Sequence, residues 1–190
     1  KYILYSGAAD PRKNLKTLLI AYSHLAIGLR KKYSLVIVGN LLEAEILEIH
    51  QILKELNLNE HDVELKGYLS DELLVEYYQN CSLFVFPSIH EGFGLPVLEA
   101  ISCGAPVIAS SLTSIPEILN YEEALFDPFN AGALALKISS ILANPELQKN
   151  LIAKGLISAE RFSWKITANK FIDYCQLIIN NNPLNTSNEK

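Results

Sequence analysis

The chain has 190 residues, of which 49% are hydrophobic and 19% are charged, and its formal net charge is −5. These values suit one large globular domain with a substantial core. A negative net charge disfavours a nucleic-acid partner, because such proteins normally present a basic face. The only short basic groups are Arg12-Lys13 and Arg30-Lys31-Lys32.

The cysteine and histidine pattern argues against a disulfide framework or a zinc site. Cys81, Cys103 and Cys175 are odd in number and form no CxxC pair, and the four histidines lack zinc-ligand spacing. We predict three thiols in the apolar core of a protein from a reducing compartment, and no bound metal. No apolar run reaches the about 18 residues of a membrane span, and no signal peptide is visible.

Short apolar runs alternate with amphipathic segments along the chain. Strands are predicted at residues 2–5, 35–38, 63–65, 83–86 and 107–109, with a short sixth at 124–126. Most runs are continuously apolar, as in parallel strands that are covered on both faces. The pattern predicts an α/β fold, a Rossmann-like parallel sheet with helices on both faces.

Helices are predicted between these strands. Apolar residues at spacings of three and four predict helices over 15–29 and 42–56. Ser70 is placed as the N-cap of a helix ending near residue 80, and Pro96 opens a helix that stops at Gly104. Further helices are predicted at 131–143, 145–160 and 163–180, and the polar tail 181–190 is expected to be disordered.

The segment 87–100 combines features that suit a phosphorylated ligand. It follows an apolar strand, contains Gly92 and Gly94, and enters a helix near Leu95 whose N–H groups point toward the loop. Carboxylates at Glu91 and Glu99 could accept hydrogen bonds from sugar hydroxyls. The spacing of these glycines and acids alone fits a tight strand-to-helix turn with two solvated carboxylates as well as it fits a ligand site.

The motif Glu91-Gly92-Phe93-Gly94-Leu95-Pro96, with Glu99 following, resembles the acidic motif of the GT-B retaining glycosyltransferases of family 4. The resemblance covers nearly the whole chain and is to the C-terminal domain of those enzymes. Further motifs in the same order carry it: Asp10-Pro11-Arg12-Lys13-Asn14-Leu15, Leu35-Val36-Ile37-Val38-Gly39, Gly67-Tyr68-Leu69-Ser70, Gly104-Ala105-Pro106-Val107-Ile108-Ala109-Ser110, Ser114-Ile115-Pro116-Glu117, Phe126-Asp127-Pro128 and Phe162-Ser163-Trp164.

The resemblance implies a role for each site residue. Glu91 would contact the donor sugar near its reacting carbon, and Glu99 would hold the ribose hydroxyls. Backbone N–H groups of the loop and the helix start would face the sugar and the diphosphate; they belong to Gly92, Phe93, Gly94 and Leu95.

Three other loops complete the implied donor site. Lys13 matches the lysine that holds the diphosphate, Tyr68-Leu69 would lie near the base, and Gly39-Asn40 would line the cleft. Many relatives have an arginine directly after the glycine that corresponds to Gly7, whereas this chain has Ala8, and neighbouring Arg12 is the expected substitute. His90 is interpreted as a loop residue rather than a general base.

The resemblance implies transfer of a hexose, with mannose as one candidate, from a nucleotide diphosphate sugar to a glycan or a lipid-linked acceptor, without a cofactor or metal. GDP-mannose or a UDP-sugar would fit, with a slight preference for GDP-mannose. The parent enzyme would function in polysaccharide biosynthesis in the cytoplasm, with peripheral association at the inner face of the membrane.

The domain organisation follows from the same resemblance. Residues 1–180 would form the donor-binding domain, and the acceptor-binding N-terminal domain is absent from this chain. The chain opens in a strand and lacks methionine, so we expect a piece of a longer protein that alone transfers little or no sugar. Two alternatives remain open: a nucleotide-sugar epimerase of the GT-B type, and a non-catalytic Rossmann-like binding module.

Overall fold

The structure is a computed structural model that describes residues 1–59 and 61–180. Six parallel strands form one sheet in the order β3-β2-β1-β4-β5-β6. The strands are β1 (Tyr2–Ser6), β2 (Ser34–Val38), β3 (Val63–Gly67), β4 (Leu83–Phe86), β5 (Val107–Ser110) and β6 (Leu125–Phe126). All six predicted strands, and their parallel pairing, are confirmed.

Nine α-helices and two short 3-10 helices connect and follow the strands in the described part of the chain. The α-helices are α1 (Leu15–Ser23), α2 (Ile27–Lys32), α3 (Glu43–Glu55), α4 (Asp71–Asn80), α5 (Leu95–Ser102), α6 (Ile115–Ile118), α7 (Ala131–Ala143), α8 (Pro145–Ala159) and α9 (Trp164–Asn180). The 3-10 helices are Pro11–Lys13 and Glu122–Ala124. The predicted start of α4 is confirmed, since the Ser70 hydroxyl accepts a hydrogen bond from the Leu73 N–H at 3.4 Å.

The prediction of one helix over residues 15–29 was wrong. Helix α1 ends at Ser23, and the extended backbone of Ala26 (ψ 140°) precedes α2. Leu25 lies in this break and is still buried. Burial therefore keeps the apolar spacing across a break between two helices, which periodicity alone cannot detect.

The prediction that all three cysteines lie in the core was correct only for Cys81. Cys81 is buried, whereas Cys103 and Cys175 are half-buried, and all three are free thiols. Burial raises the pKa of the Cys81 thiol to about 12, so it stays protonated as a small apolar group.

Helices cover both faces of the sheet because the central strands are apolar on both. All four residues of β4 and all four of β5 are buried. Helix α1 contacts α3 and α7, whereas α5 contacts α4 and α8. No helix in the described residues is long and apolar enough to cross a membrane.

The chain divides into two compact units, Lys1–Ala159 and Glu160–Lys190. The first contains the whole sheet and helices α1 to α8, and the second contains α9. The predicted disordered tail, residues 181–190, lies outside the described residues.

The loops after β1, β2 and β3 are held together by backbone contacts. The Gly7 N–H donates to the Val38 carbonyl, and the Gly39 N–H donates to the Gly67 carbonyl, each at 2.9 Å. A Cβ added to Gly39 would lie 2.1 Å from the Gly7 carbonyl oxygen. No side chain fits at Gly39 unless one of these loops moves.

Replacing Gly39 with alanine tests this close approach. We expect Gly39→Ala to lower the free energy of unfolding by about 2–3 kcal/mol, because backbone atoms rather than a flexible side chain must shift. Gly28→Ala is the matched control, since a Cβ there meets nothing within 4 Å and the residue lies in α2. It should raise the free energy of unfolding by about 0.5–1 kcal/mol. Urea denaturation measures both, and equal effects would contradict the interpretation.

Candidate functional site

The candidate site lies where the order of the strands reverses. The chain moves from β1 to β2 on one side, whereas β4 pairs with β1 on the other side. Loops that leave two such neighbouring strands diverge, and the crevice at their carboxyl ends is the usual ligand position in open parallel sheets. Residues 7–14 follow β1 here, and residues 87–94 follow β4.

An ion pair spans this crevice. The Lys13 Nζ lies 2.6 Å from the Glu91 Oε1, and the two side chains are 25% and 11% exposed. The Lys13 ammonium also lies 5.6 Å from the centre of the Phe86 ring, at the end of β4. The structure therefore brings together the two charged residues that the sequence placed in one site, although 78 positions separate them.

The backbone around Lys13 is attached to the loop after β4. The carbonyl of Arg12 accepts a hydrogen bond from the Ile89 N–H at 2.8 Å and another from the Ser88 hydroxyl at 2.9 Å. Ser88 is buried. Because these bonds join the backbones on either side of the ion pair, its geometry does not depend on two flexible side chains alone.

Asn14 provides a second attachment. Its side-chain amide donates to the carbonyls of Pro87 (3.1 Å) and Pro128 (2.8 Å), and thus links the loops after β1, β4 and β6. The residue has a left-handed backbone conformation, with φ 56°. Asparagine tolerates this conformation better than most residues, and its amide carries two donors.

The loop after β5 holds Glu91 from the other side. The Glu91 N–H donates to the Thr113 hydroxyl at 3.1 Å. The Ser114 hydroxyl lies 3.1 Å from the Glu91 carbonyl and 2.8 Å from the Phe93 carbonyl. Thr113 has φ 54°, an uncommon value for a β-branched residue. Backbone strain of this kind persists where the surrounding structure fixes a functional loop.

Gly94 allows the loop to enter α5. Its φ of 105° is unfavourable for other residues, and an added Cβ would lie 2.5 Å from the Ile115 Cδ1. The first-turn N–H groups of a helix have no intrahelical partners and carry its positive dipole end. In α5, however, Pro96 has no N–H, and the Val97 and Leu98 N–H groups donate to the Gly94 carbonyl at 3.0 and 3.3 Å. The start of the helix still carries the positive dipole end, next to Gly92 and Leu95, which are exposed.

Glu99 lies farther along α5 and is exposed. Its Oε2 accepts a hydrogen bond at 3.2 Å from the hydroxyl of Tyr78, a buried residue of α4. Burial raises the Tyr78 pKa far above its usual range, and the nearby Glu99 charge adds to this. The phenol therefore stays protonated and available as a donor.

The predicted base-binding residues lie along the loops after β2 and β3. A cavity of about 640 Å³ is lined by Asn40, Gly67 and Tyr68, together with residues of α3 and β3. The Tyr68 side chain is 77% exposed and Leu69 is half-buried. The close approach of Gly39 to the Gly7 carbonyl places the loop after β2 beside the loop after β1, at the carboxyl edge of the sheet.

Arg12, the expected substitute for the arginine that this chain lacks at Ala8, is paired with Asp10. Its guanidinium forms two hydrogen bonds with Asp10, at 2.9 and 3.0 Å, and the side chain is 66% exposed. These bonds lower the Asp10 pKa to about 2. The Ala8 carbonyl accepts a hydrogen bond from the buried Tyr5 hydroxyl at 2.7 Å. A role for Arg12 at the site remains a prediction, and His90 is an exposed loop residue.

Several residues that shape the site could not be assigned a role from the sequence. Tyr78, Ser88, Thr113 and Ser114 act through single hydroxyl groups, which leave no spacing pattern in a sequence. Asn14 was recognised as part of a motif, but the two hydrogen bonds of its amide were not predicted.

Within residues 1–59 and 61–180, no group of three or more His, Cys, Asp or Glu side chains could hold a metal ion.

Comparison with known proteins identifies the class of protein to which this fold belongs. The fold and the position of the site define the C-terminal, Rossmann-like half of a GT-B glycosyltransferase. The sequence model of the family described as glycosyl transferases group 1 matches residues 1–156, and the chain belongs to this family.

One relative is the O-antigen chain mannosyltransferase B of Escherichia coli, which is 36% identical over 178 residues. The match covers 93% of this chain and 46% of the relative. The chain spans between 21% and 46% of the length of the curated mannosyltransferases that it matches first.

Two solved structures share the fold. Sucrose-phosphate synthase from Thermosynechococcus elongatus superposes with a TM-score of 0.82 at 31% identity, over 94% of this chain and 46% of that one. Anabaena HepE, solved in complex with UDP, superposes with a TM-score of 0.79 at 23% identity, over 93% and 48% of the two chains.

The contribution of Asn14 can be isolated with Asn57. Asn57 has nearly the same backbone conformation (φ 53°) but is exposed, and within the described residues its side chain makes no hydrogen bond. Each Asn→Ala variant loses the same tolerance of the left-handed backbone conformation. Asn14→Ala also removes the hydrogen-bond donor of the Pro87 and Pro128 carbonyls. We expect Asn14→Ala to be about 2 kcal/mol more destabilising than Asn57→Ala in urea denaturation. Equal losses would mean that the amide bridge contributes nothing.

Proposed function

We propose that this chain is the donor-binding domain of a retaining, metal-independent glycosyltransferase that moves a hexose from a nucleotide diphosphate sugar to an acceptor. One observation carries the proposal: the Lys13–Glu91 ion pair involves the loop that leads into the N-terminus of α5, and Glu99 lies on that helix. A cation, the positive end of a helix dipole and two carboxylates match the charges of such a donor along its length.

The reaction leaves negative charge on the nucleotide diphosphate as the bond to the sugar breaks. In the proposed complex Lys13 faces the diphosphate, and the N-terminus of α5 adds the positive end of the helix dipole. Groups that are already fixed stabilise developing charge best, because they need little reorganisation during the reaction. The Arg12 carbonyl bonds to Ile89 and Ser88 support such fixation of the Lys13 backbone.

Glu91 is proposed to accept hydrogen bonds from hydroxyls of the transferred sugar near its reacting carbon. Its carboxylate points into the crevice and has an ammonium as its neighbour. The Thr113 and Ser114 hydroxyls hold its backbone, so the carboxylate starts from a defined position. Retention of the anomeric configuration and independence of metal are supported by the resemblance of the Glu91–Glu99 motif to the retaining enzymes.

The nucleotide would extend from the crevice toward β2 and β3. Glu99 would accept the ribose hydroxyls, and the base would lie near Asn40, Tyr68 and Leu69. The names of the relatives that are 35% and 36% identical support mannose as the sugar. That sugar favours GDP-mannose over a UDP-sugar as the donor.

The opposite wall of the cleft and the acceptor site are proposed to belong to the N-terminal domain of a longer enzyme. One relative is named an O-antigen chain mannosyltransferase, which supports a glycan or lipid-linked acceptor here. Such an acceptor fits an enzyme that works in the cytoplasm at the inner face of the membrane.

Nucleotide binding by Lys13 variants tests the proposal. Calorimetric titration of the chain with GDP, UDP and ADP, in EDTA, should give a measurable Kd for at least one of them. Lys13→Ala should raise that Kd at least about tenfold, because a charge-assisted contact is lost and Glu91 is left unpaired beside the diphosphate. Glu99→Ala should also weaken nucleotide binding, because the ribose hydroxyls lose their proposed acceptor.

Lys16→Ala is the matched control, since Lys16 is an exposed lysine of α1 and its removal changes the net charge equally. It should leave the Kd within about twofold of the wild-type value, because long-range charge effects are screened. If no diphosphate binds either in EDTA or with added Mg²⁺, or if Lys13→Ala and Lys16→Ala bind alike, the donor-site proposal is wrong. Binding with Mg²⁺ but not in EDTA would overturn metal independence alone.

A further inference from the structure

Tyr78 occupies an unusual position relative to the proposed donor site. The side chain is buried, with 1% exposure, but its hydroxyl reaches the exposed carboxylate of Glu99 at 3.2 Å. It belongs to α4, whereas Glu99 belongs to α5. Twenty-one positions separate the two residues, and the motif that contains Glu99 gives no indication of the contact.

The Tyr78 ring is fixed by its surroundings. It packs edge-on against Phe84 of β4, with 5.3 Å between ring centres and an interplanar angle of 78°. A buried aromatic ring packed in this way has few alternative conformations, so the direction of its hydroxyl is set by the core.

Glu99, in contrast, has no such restraint of its own. An exposed glutamate samples several rotamers, and fixing one of them costs conformational entropy. Tyr78 is the only donor that reaches this carboxylate in the part of the chain that the structure describes. It engages Oε2 and leaves the lone pairs of Oε1 for other donors. Two adjacent hydroxyl groups on a ligand are donors of the right spacing for a carboxylate held in this way.

We propose that Tyr78 is a positioning residue that holds the Glu99 carboxylate ready to accept the two hydroxyls of a nucleotide ribose. The inference rests on the proposed function and adds to it the group that orders the ribose-binding carboxylate before the donor arrives. Tyr78 itself does not touch the nucleotide. The ring fills the core, and only its oxygen acts at the site.

A comparison of ribose with dideoxyribose nucleotides tests this role. GDP and UDP are titrated into the chain beside their 2′,3′-dideoxy forms, which lack the hydroxyls that Glu99 would accept. The wild type should prefer the ribose form by about tenfold, which corresponds to about 1.4 kcal/mol. Tyr78→Phe should reduce that preference to about twofold, with the affinity for the dideoxy form unchanged.

Two control variants separate positioning from stability. Tyr77→Phe makes the same change on the same helix, at a half-buried ring that pairs with Tyr2 instead, and should keep the full ribose preference. Tyr22→Phe removes the buried hydrogen bond to the Tyr33 carbonyl (2.9 Å), far along the chain from Glu99. It should lower the Tm without changing the ribose preference.

The possible outcomes distinguish failure of the proposed function from failure of the role proposed for Tyr78. If the wild type binds no diphosphate, the proposed function and this inference both fail. If the wild type binds but does not distinguish ribose from dideoxyribose, the ribose role of Glu99 is wrong and Tyr78 has nothing to position. If the wild type prefers ribose and Tyr78→Phe keeps that preference, only the present inference is overturned.

Discussion

The contact between the loops after β1 and β4 is the constraint on which the candidate site depends. These two strands are neighbours only because the chain reverses its direction across the sheet after β3. The reversal brings the Arg12 carbonyl within hydrogen-bond distance of Ile89 and Ser88. The Lys13–Glu91 pair then forms across a crevice whose two sides are already joined by backbone bonds.

This arrangement separates the charges that act from the groups that hold them. Lys13 and Glu91 are partly exposed and carry the charge, whereas neutral groups fix the loops around them. The amide of Asn14 and the hydroxyls of Ser88, Thr113 and Ser114 make these fixing bonds. Of these groups only Thr113 is exposed. Neutral groups suit the buried positions, because burying them costs less than burying a charge once each has found a partner.

Part of the site was predictable because its chemistry needs particular residue types in one short segment. Gly94 illustrates this, since its positive φ and its closeness to Ile115 exclude other residues, and the glycine is visible in the sequence. The cross-loop contacts were not predictable, because a serine or a tyrosine has many possible partners. Ser114 and Tyr78 acquire theirs only when distant strands are ordered in the sheet.

The sequence by itself determined the class of fold, the six strands and the segment that contains Glu91 and Glu99. These follow from local apolar patterns and from glycine and proline positions, which act over a few residues. Only the tertiary structure decided that α1 ends at Ser23 and that Lys13 meets Glu91. Such features depend on which strands become neighbours, and that choice is made by burying the whole core rather than by any local stretch of sequence.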